Sequence, residues 1–348
     1  MRKWQLLGVV FALVTAANAG AQTANSCPPG SITGGGGIVP GFPDRQMATQ
    51  DACQMAVDVF QLLSPQLGLA LAGGNAVLGS GSTLGGPGHF SIGLRANVFQ
   101  GDLPDITSFP TPSTTGRVQY KGATALPAST TIVGLPTADA AIGLFGGVPL
   151  PLTNVGGIDL LVSATYVPSF GDSTSDVRIA PDRNLQLGYG VRVGLLKESI
   201  VVPGVSFTFL RRDLPSTSMD GSSSGVSVSV RDAKVKTSAY RLVASKTLLT
   251  FGIAAGIGQD RYDDEANVQG TVKAAAPVGT QTSDVVALSQ KLTRTNYFVD
   301  LSLNLPVFKL VGELGQVTGG TVDTFNEFDS GRADKSRTYG SVGFRIAF

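Results

Sequence analysis

From residue 89 onward, apolar and polar residues alternate with a period of two. Over residues 89–100, Phe90, Ile92, Leu94, Ala96 and Val98 share one face, and Ser91, Gly93, Arg95 and Asn97 share the other. Residues 158–168 set Ile158, Leu160, Val162, Ala164 and Tyr166 against Asp159, Leu161, Ser163 and Thr165. Residues 184–197, 250–259 and 296–305 repeat the arrangement, for example Tyr297, Val299, Leu301 and Leu303 against Asn296, Phe298, Asp300 and Ser302. This is the geometry of a strand with two unlike faces, and charge falls on the polar one. Weaker stretches at 130–145, 205–212, 238–246 and 308–318, with the C-terminal run 338–348, bring the count to ten.

Ten is an even number, as a closed antiparallel barrel with both ends on one side requires. Closure also leaves no strand edge unpaired in lipid. Twelve strands is the alternative count. The connections alternate as well. Residues 101–129, 171–183, 213–237, 260–295 and 319–337 read as long external loops rich in Ser, Thr, Gly, Pro and Asp, whereas 146–157, 198–204, 247–249 and 306–307 read as short turns.

The N-terminus explains why greasy faces are tolerated. Arg2 and Lys3 precede an apolar stretch at 6–16 and the small-x-small site Ala17-Asn18-Ala19, which predicts an export signal over 1–19, with cleavage after 21 as the alternative. Beyond it no uninterrupted apolar run is long enough to predict a spanning helix. Yet 42% of residues are hydrophobic, only 15% are charged and 45 are glycine. Alternation is where such a chain stores its hydrophobicity. A net charge of +1 gives no electrostatic case for nucleic acid.

The signal, the alternation, the loop rhythm and the ending "SVGFRIAF" resemble bacterial outer-membrane β-barrel proteins over about residues 88–348. The resemblance implies an all-β, closed antiparallel transmembrane barrel in a Gram-negative outer membrane, in contact with its lipids and lipopolysaccharide. It also implies that the barrel assembly machinery reads the C-terminal strand, with Phe344, Ile346 and Phe348 as the assembly signal.

The inward charges predicted by phase are Arg95, Asp159, Arg192, Arg241, Asp300, Lys309, Glu313 and Arg345, five positive and three negative. A ten-stranded lumen is narrow. These groups are therefore expected either to pair as a structural network or to form a constriction for small anions.

Residues 20–87 form a separate N-terminal segment. Residues 44–64 space Ala52, Met55, Val59, Leu62 and Leu63 at helical intervals, and Pro65 is expected to stop the helix. Cys27 and Cys53 are the only cysteines, so an exported chain predicts a disulfide between them. The helix is expected either as a lumen plug or as a periplasmic cap. A plug would need apolar lumen residues, for which Leu161, Leu196, Val243 and Phe298 are candidates.

Catalytic chemistry finds little support. The single histidine, His89, opens the first strand at the periplasmic end, and there is no His-Glu-x-x-His, phosphate loop or cysteine cluster. Asp260, Asp263, Asp264 and Glu265 are expected in a solvated external loop. No cofactor, metal or enzymatic activity is expected. The functions that remain are a small passive channel or uptake pore for a small solute, with a partly plugged lumen; a structural or adhesive barrel with partner-binding loops; and a lateral-opening transporter of small hydrophobic compounds.

Overall fold

The computed structural model describes residues 27, 44–114, 118–171, 176–273 and 280–348. The predicted signal lies outside the described residues.

Ten strands, numbered in chain order, close a ring: β1 (Phe90–Pro104), β2 (Ala128–Phe145), β3 (Gly157–Tyr166), β4 (Leu185–Leu196), β5 (Gly204–Asp213), β6 (Val226–Leu248), β7 (Phe251–Val272), β8 (Val286–Asn304), β9 (Lys309–Thr318) and β10 (Arg337–Ala347). Each pairs antiparallel with its sequence neighbours. β10 pairs with β1 to complete the circle, in a register that aligns Ile346 with Ile92 and Val342 with Ala96. Phe348 extends this seam. It exchanges both backbone hydrogen bonds with Phe90 at 2.9 and 3.0 Å, and the two rings stack at 5.1 Å.

The faces follow the alternation. Ile92, Leu94, Leu160, Leu187, Tyr189, Ile253, Val299, Leu301 and Phe344 are exposed on the outer wall, whereas Ser91, Asn97, Asp159, Ser163, Arg192 and Asp300 are buried inside. A greasy exterior around a polar interior is the arrangement of a transmembrane barrel.

Two predicted loops prove to be wall. β6, β7 and β8 are 23, 22 and 19 residues long and extend through most of 213–237 and 260–295. The short strands Val177–Pro181 and Thr217–Ser222 add to the side of β6. The acidic stretch at 258–267 therefore lies on β7, with Asp260 and Asp264 buried and Glu265 pointing out. The period of two continues above the membrane, but the chemistry of the faces is exchanged. Val228, Val230, Tyr262, Val268, Leu288 and Leu292 point inward, and Arg261, Glu265, Gln269 and Lys291 face water. From Gln259 to Val272 this adds about 40 Å of strand beyond the apolar belt.

The helix α1 (Asp44–Ala72) has 29 residues and lies inside the ring. At 1.5 Å per residue it is about 43 Å long. It continues through Pro65, contrary to expectation. Proline costs a helix one N–H donor, here the one that would reach the Gln61 carbonyl, and burial of Leu62, Ser64, Gln66 and Leu69 on either side of it inside the ring holds the helix together. Residues 47–72 are also long and apolar enough to cross a bilayer, contrary to the expectation of no such helix. Here barrel wall rather than lipid covers them. The Cys27–Cys53 disulfide is formed at the outer end of α1.

Candidate functional site

The lumen and its plug are the part of the molecule where unlike chemistry converges. At the outer end, α1 is gripped by apolar packing: Ala52, Met55, Val59 and Leu62 are fully buried against the inward residues of the tall wall. Two aspartates on the helix hold the outer connections. Asp51 accepts from the amides of Ser113 and Val118 at 2.8 and 3.0 Å and from the Tyr120 hydroxyl at 2.9 Å. Seven residues on, so on the same helical face, Asp58 accepts from the amides of Phe325 and Asn326 at 2.9 and 3.1 Å. Burial raises the Asp58 carboxyl to about 7, against the opposing pull of those amides. Burial likewise drives Asp264 well above the ordinary carboxylate range; its oxygen takes the Ser64 hydroxyl, which in turn accepts from Gln290 at 3.2 Å.

At mid-depth the helix ends, and its last carbonyls need donors. The wall supplies them. Asn97 Nδ2 donates to Leu69 O at 3.2 Å, Arg212 Nη1 to Leu71 O at 3.1 Å and Arg241 Nη2 to Ala72 O at 2.8 Å. Cations at a helix C-terminus also complement its dipole. Each guanidinium is balanced in turn: Arg241 by Asp260 at 2.6 Å, and Arg212 together with Arg95 by Asp139, both at 2.9 Å.

Below this collar, residues 73–89 run as an arm down the inner half of the lumen. Asp300 Oδ2 accepts from Asn75 Nδ2 and the Gly79 amide at 2.8 and 2.9 Å, and Glu313 accepts from the Asn75 amide at 2.7 Å. Asp159 accepts from the Leu84 amide at 3.2 Å while bound to Arg192 at 2.7 Å. The arm packs tightly on wall glycines. A Cβ at Gly343 would meet Leu78 at 2.6 Å, one at Gly194 would meet Thr83 at 2.9 Å, and one at Gly143 would strike the Gly86 backbone.

All eight charges picked by phase thus line the lumen. Arg95, Asp159, Arg192, Arg241, Asp300 and Glu313 are buried, and Lys309 and Arg345 are partly so. Of the apolar candidates, Leu161, Val243 and Phe298 are buried and Leu196 is half-buried. Missing from the prediction were the partners Asp139, Arg212 and Asp260. Asp139 and Arg212 lie within the weak stretches 130–145 and 205–212 and share phase with Thr137 and Ser206, so following the alternation through those stretches finds them. Asp260 was hidden by its assignment to a loop.

His89 is exposed at the inner end beside Gly86. Residues 221–225, "GSSSG", have the spacing of a nucleophile elbow, yet Ser223 sits in an outer turn bonded to Val226, at the opposite end of the barrel from that histidine. A cavity of about 20 Å³ lies between the arm and the wall at Ser91, Gly93, Arg95 and Arg345, room for about one water.

No family model matches the chain, and no curated protein matches it. Among solved structures, the chain is similar to the transport unit of the autotransporter AIDA-I from Escherichia coli, with 8% identity over 85% of this chain and 98% of that one and a TM-score of 0.34. It is similar to the toluene transporter TbuX of Ralstonia pickettii at 10% identity, over 80% and 96% of the two chains, with a TM-score of 0.29. An anion-selective porin from Comamonas acidovorans matches at 11% identity, over 75% and 98%, with a TM-score of 0.19. At these scores the likeness adds nothing to what the strand pairing establishes.

Proposed function

We propose that the protein is an outer-membrane channel barrel held shut by its own N-terminal segment, and that a small solute passes only when the arm of residues 73–89 leaves its seat. The observation that supports this is how the inner half of the lumen is made. Ten strands are nearly few enough for side chains alone to fill the bore. Instead, Gly143, Gly157, Gly194, Gly204 and Gly343 leave room at the wall, and a separate segment occupies it through polar contacts to Asp159, Asp300 and Glu313. We also propose Phe344 and Ile346 on the closing strand, with Phe348 just beyond it, as the signal for assembly in the outer membrane.

Planar-bilayer recording of the full chain tests the reading. Wild type should show rare, brief openings. The double variant Asp300→Asn/Glu313→Gln, which weakens the seat, should open more often. A lock should abolish the current: a Cβ at Gly157 lies 3.3 Å from Thr83 Cβ, close to disulfide reach, so Thr83→Cys/Gly157→Cys should close the channel until reduced. Unlocked protein given the same reductant controls for Cys27–Cys53. No resolved current in either wild type or the weakened variant would end the channel reading.

A second reading, a sealed anchor that presents an external platform, is favoured by the hold of Asp51 and Asp58 on the outer connections. It predicts that silent recording together with rigid, partner-accessible outer loops.

A further inference from the structure

Arg345 stands apart from the other inward arginines. Arg95 and Arg212 share Asp139, Arg192 holds Asp159 and Arg241 holds Asp260. Arg345 makes no salt bridge or hydrogen bond among the described residues, and its Nε and Nη1 are buried. Its register partner on β9 is Lys309, a second cation, whose Nζ reaches only the Gly79 carbonyl at 3.3 Å. The guanidinium also feels the charge of Arg192, which is 1% exposed and has its own Nη1 buried without an acceptor. The carboxylate within electrostatic reach of Arg345, Asp300, spends its Oδ2 on the arm. Buried donors of a cation left without an acceptor are costly in a protein interior. Arg345 and Arg192 carry buried donors without an acceptor, Lys309 lies beside Arg345, and the buried Oδ1 of Asp300 is the spare acceptor within electrostatic reach of Arg345.

We propose that the inner end of the lumen holds a binding site for a small monatomic anion of the halide class, with Arg345 Nε and Nη1 as principal donors, Lys309 as the neighbouring ammonium and Arg192 completing the positive field. Size points to a halide rather than an oxyanion: the cavity that Arg345 lines, together with Arg95 and with Asp139, whose carboxylate is taken by Arg95 and Arg212, has room for about one water, and Lys309 and Arg192 act on it from outside its lining. The site is independent of conduction: a permanently sealed barrel would hold the ion equally well.

Bromide is the probe. Crystals of the full chain soaked in bromide should show an anomalous peak within hydrogen-bond distance of the Arg345 guanidinium, and that peak should disappear in Arg345→Gln. In detergent, thermal stability of the wild type should rise with chloride over gluconate at equal ionic strength, with little response to sulfate. Arg345→Gln should weaken the apparent halide affinity at least tenfold, and Lys309→Gln several-fold. The lysine variant serves if the arginine variant does not fold. A wild-type protein with no bromide at Arg345, with a chloride response no larger than that to gluconate, or with sulfate bound as tightly as bromide, overturns the proposal.

Discussion

β7 shows two regions of the molecule in a single strand. From Phe251 to Ile257 its outward residues are Phe251, Ile253, Ala255 and Ile257, and its inward residues are small; from Arg261 to Thr271 the outward residues are Arg261, Asp263, Glu265, Asn267, Gln269 and Thr271, and Tyr262, Ala266, Val268 and Val272 face the helix. The phase never slips. What changes is the solvent on each side. The lower region is an inside-out protein, polar within and greasy without. The upper region is built as a soluble domain is, around the apolar half of α1. The same helix serves both by being apolar where the wall is apolar and by ending where the wall offers arginines. The difference teaches that alternation specifies a sheet with two faces but is silent on which face is wet.

Breaking the upper region should leave the lower one standing. Reducing Cys27–Cys53 opens a loop with a separation of 26 residues, worth about 3 to 4 kcal/mol by chain entropy. Hydrogen exchange at residues 44–64 and in the upper parts of β6, β7 and β8 should accelerate, while the membrane belt stays protected. Breaking the lower region calls for a charge on the outer face. Leu301→Arg in the apolar belt should cost about 2 to 4 kcal/mol and reduce the heat-modifiable folded band on gels. Ala287→Arg, on the same face of β8 but in the upper region, should stay within about 0.5 kcal/mol.

Protons should also discriminate between the regions. Asp58 titrates near 7 when folded against 3.8 when unfolded, so docking of the outer connection takes up a proton. The contribution of Asp58 to the upper region is then greatest below about pH 4 and falls by about 1.4 kcal/mol per pH unit as pH rises toward 7. Asp58→Asn should reduce this slope without removing it, because Asp264 contributes with the same sign. Exchange rates of the Phe325 and Asn326 amides at pH 5 and pH 7.5 provide the measurement. Packing separates the regions as well. Gly270→Ala would put a methyl 2.3 Å from the Ala52 carbonyl carbon and cost about 1 to 3 kcal/mol. Gly312→Ala, with nothing within 4 Å, should be neutral within about 0.5 kcal/mol by denaturant titration.

The amino-acid sequence by itself determined the number and order of the ring strands, the face on which side chains of the apolar belt lie, the side that carries the long connections and the cysteine pair. All of these follow from local periodicity, turn composition and a cysteine count of two. It placed Arg95, Arg192 and Asp300 on the lumen face because phase is local. Only the tertiary structure decided that α1 enters the ring, that Pro65 is tolerated there, that β6, β7 and β8 climb past the membrane, and that Arg212 and Arg241 cap the helix instead of lining an open bore. Those outcomes depend on which surfaces meet across more than a hundred residues of chain, as Arg241 meets Ala72. A helix inside a barrel is chosen by the sum of such distant contacts, a quantity that no short window of sequence contains.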